Sequence, residues 1–144
     1  MINHLIGIGL SLLLSALIGW ERESQKKPAG LRDAMLICLG ATMFTIISLI
    51  LRDVPTSEGI KYDLGRIIAY TIAGVGFLGG GVMITNKKKI EGITTASTLW
   101  AIVGIGILCG MGEYLLATIC AGAIYLTLKL KYVQIKIIKQ KDKK

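Results

Sequence analysis

Residues 66–100 read RIIAYTIAGVGFLGGGVMITNKKKIEGITTASTLW, and this stretch decides the fold. Two apolar segments flank a short basic loop that carries Lys87, Lys88 and Lys89. The first segment holds Gly74, Gly76, Gly79, Gly80 and Gly81. In a water-exposed helix each glycine costs about 1 kcal/mol relative to alanine, so this density needs a reason. Lipid supplies one, because small residues let helix backbones approach closely, and Gly76 and Gly80 stand at GxxxG spacing. The second segment opens with Thr94, Thr95, Ser97 and Thr98. Hydroxyls at a helix start can satisfy orphan N–H groups or face a polar ligand. The connecting loop is so short that the two segments are expected to form an antiparallel helix pair.

Composition extends this reading to the whole chain. Of 144 residues, 53% are hydrophobic and only 18% charged, and the mean hydropathy is +0.64. The charges cluster between apolar runs, each near the roughly 20 residues that cross a bilayer. An all-α membrane bundle follows, not a soluble domain. The net charge of +8 does not indicate nucleic acid, because the basic residues sit in short loops and a tail beside apolar spans. Cys38, Cys109 and Cys120 lie in or beside apolar runs without CxxC or Cys/His spacing, which suits small buried hydrophobes. The N-terminus lacks a basic n-region and reads as a retained first helix.

Working outward, five spans are predicted, at about 5–23, 34–51, 66–85, 93–110 and 113–128, forming a transmembrane domain over 1–130 with a basic tail over 131–144. In the first, Ser11, Ser15 and Gly19 recur every four residues and make a small-residue stripe. Trp20 is placed as an interfacial aromatic, followed by Glu21, Arg22 and Glu23. Residues 24–32, SQKKPAGLR, turn at Pro28 and Gly30, and Asp33 is placed as the N-cap of the second helix. Asp63 and Arg66 are three apart and are expected to pair at the start of the third. Gly65, Ala69 and Ala73 extend that helix's small face upstream. Gly106 and Gly110 form a second GxxxG in the fourth, where Trp100 falls mid-helix. The helix-packing candidates are therefore Gly76, Gly80, Gly106 and Gly110.

Fourteen Lys and Arg fall on the side of the chain that bears residues 22–32, residues 87–89 and the tail, against three on the other. The positive-inside rule then puts the N-terminus outside and the C-terminus in the cytoplasm.

Two runs resemble a known family. Gly19-Trp-Glu21-Arg22-Glu23 with Lys27-Pro28-Ala29-Gly30-Leu31-Arg32 is similar to the first signature of the MgtC/SapB family of bacterial inner-membrane proteins. Gly74-Val-Gly76-Phe77-Leu78-Gly79-Gly80-Gly81, Gly92-Ile-Thr94-Thr95-Ala96, then Trp100 and Gly104-Ile-Gly106 resemble its second. The resemblance runs to about Tyr114 and covers the membrane part, as in a short form without the soluble domain that many members carry. It implies a multi-pass protein of the bacterial plasma membrane tied to magnesium limitation. Some members act in virulence and restrain the F-type ATP synthase, which makes that enzyme a candidate partner.

The predicted topology gathers four helix ends at the cytoplasmic face. They bring Glu21, Arg22, Arg32, Asp33, Asn86, Thr94 and Thr95 together as site candidates. A buried polar network that locks the helices is one outcome, and a small ligand or ion site is the other. Glu21 and Asp33 could hold Mg²⁺, which takes one or two carboxylates and keeps several waters. Arg22, Arg32 and the start of the fourth helix could hold an anion instead. The one histidine, His4, sits near the other face, and no nucleophile–base pair is spaced for catalysis, so no enzyme is expected. The expected function is regulation through membrane-protein contacts, with lipid around the bundle and a homodimer or homo-oligomer as its assembly. The alternative is a small oligomeric ion transporter or channel.

Overall fold

The computed structural model describes residues 1–52, 54, 63–86 and 89–141. The described residues form five helices, α1 (Ile2–Ser24), α2 (Leu31–Arg52), α3 (Leu64–Val82), α4 (Ile93–Met111) and α5 (Tyr114–Lys141), with an antiparallel hairpin, β1 (Ile84–Asn86) and β2 (Lys89–Glu91), between α3 and α4. Among the described residues α1, α2, most of α3 and α4 are long and apolar enough to cross a membrane. The apolar stretch of α5, Tyr114–Leu130, is shorter. At 1.5 Å per residue it reaches about 25 Å.

The distribution of side-chain size identifies the solvent. Beside Ile18, Ile102, Val103 and Ile105, the fully buried positions are mostly small or hydroxyl residues: Ser11, Ser15, Ala34, Cys38, Ala41, Thr42, Thr45, Ala117 and Ala121. Large apolar groups point outward, with Phe77 83%, Leu115 77% and Leu13 70% exposed. Water would reverse that order; hydrocarbon permits it, because close backbone packing and not apolar burial holds membrane helices together. Several buried hydroxyls satisfy themselves on helix carbonyls. Ser15 Oγ donates to the Ser11 carbonyl at 2.6 Å and Thr45 Oγ1 to that of Ala41 at 2.8 Å. Thr42 Oγ1 lies 2.9 Å from the Cys38 carbonyl and 3.0 Å from that of Gly106 on α4, so it also bridges two helices.

Helix α4 is the hub and touches all four other helices. One core cluster joins it to α1, α2 and α5 through Ile18, Cys38, Ile102, Ile105 and Ala117. A second joins it to α2 and α3 through Ala41, Val75, Leu99 and Val103. Glycines set the closest approaches. A Cβ added to Gly106 would sit 2.4 Å from the Cys38 carbonyl oxygen, and one on Gly110 would sit 2.6 Å from Thr45 Cβ. Gly7 and Gly19 are also tight, at 2.5 Å from the Cys109 carbonyl oxygen and 2.8 Å from Leu31 Cα. In α3 it is Gly79 that packs inward, on Ala96, while a Cβ added at Gly76 or Gly80 would meet nothing within 4 Å among the described residues beyond their own helix backbone. Only 11% of the α3 span is buried, against 50% of α4.

Several expected boundaries differ. The third helix stops at Val82, not 85, and the expected loop is largely the hairpin, whose Ile84, Thr85 and Ile90 are β-branched and suit strands. Residues 87–88 lie outside the described set. Helix α2 starts at Leu31, so Asp33 is the third residue and not the cap. The residues expected as tail continue α5 to Lys141, since residues 129–141 contain neither Gly nor Pro to stop a helix.

Candidate functional site

The site is built on the way α1 ends. The Lys27 N–H reaches back to the Arg22 carbonyl at 3.1 Å and the Lys26 N–H to that of Glu23 at 2.8 Å. This is a Schellman cap, whose pivot residue takes the left-handed conformation and is usually glycine. Here the pivot is Lys26, at φ 53°. Helix α4 ends with the same pair of bonds, from Gly112 to Cys109 and from Glu113 to Leu108, and there the pivot is Gly112 at φ 85°.

The chain then turns directly into α2. Glu23 Oε2 accepts the Leu31 N–H at 2.8 Å, and Asp33 Oδ2 accepts the Gly30 N–H at 3.0 Å. Two carboxylates thus satisfy orphan donors at the start of α2, as a capping box does with one. On the other side Gly92, at φ 90°, opens α4 with no side-chain cap. A Cβ on Gly92 would lie 2.5 Å from the Val82 carbonyl oxygen, so the hairpin fits only with glycine there.

Between these elements lie Glu21 and Arg22, 3% and 6% exposed. Glu21 Oε2 stands 3.6 Å from an Arg22 terminal nitrogen, an ion pair too long for a hydrogen bond. The other terminal nitrogen reaches Thr95 Oγ1 at 3.4 Å. Glu21 Oε2 and Arg22 Nε have no hydrogen-bond partner among the described residues. Buried charge without full hydrogen bonding is expensive, and native proteins hold few such groups.

Arg22, Thr94 and Thr95 line one cavity of about 610 Å³, with Lys26 and Lys27 from the α1 cap, Ile90 and Glu91 from β2, and Thr127 and Leu128 from α5. Asp33 does not line it. That side chain borders a second, largely apolar crevice of about 330 Å³ between α2 and α3, with Leu36, Leu78 and Leu99. Arg32 is exposed and lines neither crevice, and Thr94 is exposed where Thr95 is buried. Asn86 lies in β1, and its side chain falls outside the described set. Lys26, Lys27 and Glu23 were not among the expected site residues. Their signal was the polar run on either side of Pro28, which served the family resemblance and, for the lysines, the charge count.

These positions do not suit a magnesium cage. Mg²⁺ needs converging oxygen ligands. Glu21 lines neither space, Asp33 borders only the second, and no group of three His, Cys, Asp or Glu converges among the described residues.

The profile of the MgtC family matches residues 8–135. The chain belongs to the MgtC family. Protein MgtC of Salmonella typhimurium strain LT2 is 40% identical over 114 residues, which cover 79% of this chain and 46% of that protein. An uncharacterized protein of Haemophilus influenzae is 37% identical over 124 residues, 84% of this chain and 52% of the relative. The protein named putative magnesium transporter YhiD in Escherichia coli K12 is 36% identical over 113 residues, 78% of this chain and 53% of the relative. This MgtC-family chain spans about half the length of the curated relatives it matches. No solved structure matches it.

Proposed function

We propose that the chain serves adaptation to magnesium limitation as a regulator that works by contacting other membrane proteins. Family membership supports the magnesium connection, together with the name of the Escherichia coli relative. The observation that carries the regulatory reading is the outer face of α3. Gly65, Ala69, Ala73, Gly76 and Gly80 fall in one stripe at helical spacing, all exposed. A Cβ added at Gly76 or Gly80 would meet nothing within 4 Å among the described residues beyond their own helix backbone. Such a stripe lets a partner helix approach closely. A pathway for ions is not supported to the same degree, because the interior beyond Arg22 is filled by Ile18, Ile102 and Ile105, each at most 1% exposed.

The partner is a second copy or another membrane protein, the F-type ATP synthase being the one the family resemblance implies. Affinity purification from magnesium-starved cells is expected to recover a partner with wild-type protein and to lose it with Gly76→Leu plus Gly80→Leu. Magnesium flux into liposomes holding the purified wild-type chain would overturn the regulatory reading in favour of transport. The orientation proposed with it puts Lys27 and Glu91 in the cytoplasm, and reporter fusions that place them on opposite sides would reject it.

A further inference from the structure

The 610 Å³ cavity carries an unbalanced charge. Arg22, Lys26 and Lys27 line it, against Glu91 as the one acidic lining residue among the described residues. It also opens on the start of α4, a 19-residue helix without a side-chain cap. The first N–H groups of such a helix have no acceptor within it, and they carry part of the positive end of its dipole. A helix start alone would not make a site. Arg22 supplies the independent observation: a guanidinium on the cavity wall, 6% exposed, whose Nε has no hydrogen-bond partner among the described residues. Its contact with Thr95 Oγ1, at 3.4 Å, is long for a hydrogen bond.

Chemistry narrows what would satisfy these groups. A guanidinium offers five donors in a planar fork and accepts nothing. Glu21 stands beside one terminal nitrogen, which leaves the Thr95 side of the fork for another acceptor. Backbone N–H groups at a helix start likewise only donate. A ligand that meets both must be anionic and rich in oxygen, and phosphate geometry matches the guanidinium fork. A cation would face three positive side chains.

We propose that this cavity binds a phosphate group, held by Arg22, the first N–H groups of α4 and the hydroxyls of Thr94 and Thr95, with Lys26 and Lys27 flanking it. Inorganic phosphate and the headgroup of an anionic phospholipid share this chemistry. The proposal is independent of whether α3 docks a partner.

The test uses the purified full chain in neutral detergent at about 0.15 M salt, where exposed charges more than ~8 Å apart are largely screened. Titration with inorganic phosphate is expected to show saturable binding. Arg22→Lys keeps the charge but loses the fork, and is expected to weaken binding by about tenfold or more. Lys26→Gly removes a charge at a backbone position that favours glycine, so it should weaken binding severalfold without lowering the melting temperature. In a second arm, native mass spectrometry compares phosphatidic acid with phosphatidylcholine. Selective retention of phosphatidic acid, displaced by phosphate, supports a lipid headgroup as the source. Phosphate binding without lipid selectivity supports the free anion. Absence of both, or binding that neither variant changes, would overturn the proposal.

Discussion

Arg22 near the end of α1 and Thr95 in the first turn of α4 stand side by side, nitrogen to hydroxyl at 3.4 Å, although 73 positions separate them in sequence. The contact makes the two family-like runs of sequence into one structural unit. Each contributes what the other lacks: the first a guanidinium, the second hydroxyls and free backbone donors.

Truncating Arg22 to alanine leaves the Glu21 carboxylate buried without its counter-charge. Breaking a buried pair this way typically costs about 3–5 kcal/mol. Unfolding in detergent is expected to show that loss for Arg22→Ala. The double variant Glu21→Leu with Arg22→Met, which removes both charges and keeps most of the volume, should recover most of it. A double variant as unstable as Arg22→Ala would show that the charges themselves hold the bundle.

The two GxxxG pairs are expected to behave oppositely. Gly106→Ala or Gly110→Ala forces a Cβ into α2 and should cost about 1–3 kcal/mol or more by overpacking. Gly76→Ala and Gly80→Ala meet open space, and their effect should be neutral or stabilising by up to about 1 kcal/mol through helix propensity. Thermal melts of the four single variants in one detergent read the contrast directly.

The two Schellman pivots offer a matched pair. Lys26→Gly relieves a left-handed lysine, and its stability should stay level or rise by up to about 1 kcal/mol. Gly112→Ala does the reverse at the end of α4 and should destabilise by about 1 kcal/mol. Circular dichroism melts check both signs.

Gly92→Ala combines a left-handed backbone with a Cβ 2.5 Å from the Val82 carbonyl oxygen. The strain should exceed the roughly 1 kcal/mol seen at an open left-handed position and reach about 1–3 kcal/mol. Hydrogen exchange should locate the loosening at the hairpin and the first turn of α4, with the far end at Tyr114 and Asn3, where the Tyr114 hydroxyl donates to the Asn3 carbonyl, unchanged.

The bundle itself was legible in the sequence. Apolar runs, short basic loops and the stripe of Ser11, Ser15 and Gly19 state the helices and one packing face without reference to tertiary structure, and all three stripe residues are buried. The inward face of α3 was not legible. GxxxG spacing names a stripe but not the rotation of the helix, and five glycines within eight residues leave the rotation open until Gly79 is seen against Ala96. Nor was the hairpin, because three-residue strands carry too little periodicity. Of the candidate ligands, Asp33 moved to the α2–α3 crevice because its carboxylate turns back to the Gly30 N–H. The part played by Lys26 depends on a backbone angle that the residue type argues against.

The hairpin has a mechanical consequence. It leads directly from α3 to the first turn of α4, it contributes Ile90 and Glu91 to the cavity wall, and Gly92 seats it against the Val82 carbonyl with no slack. A tilt or slide of α3 in the bilayer would reach that wall through the hairpin. If the cavity holds a phosphate and α3 a partner, as proposed, the two equilibria would be linked, and each would alter the other's affinity by the same factor.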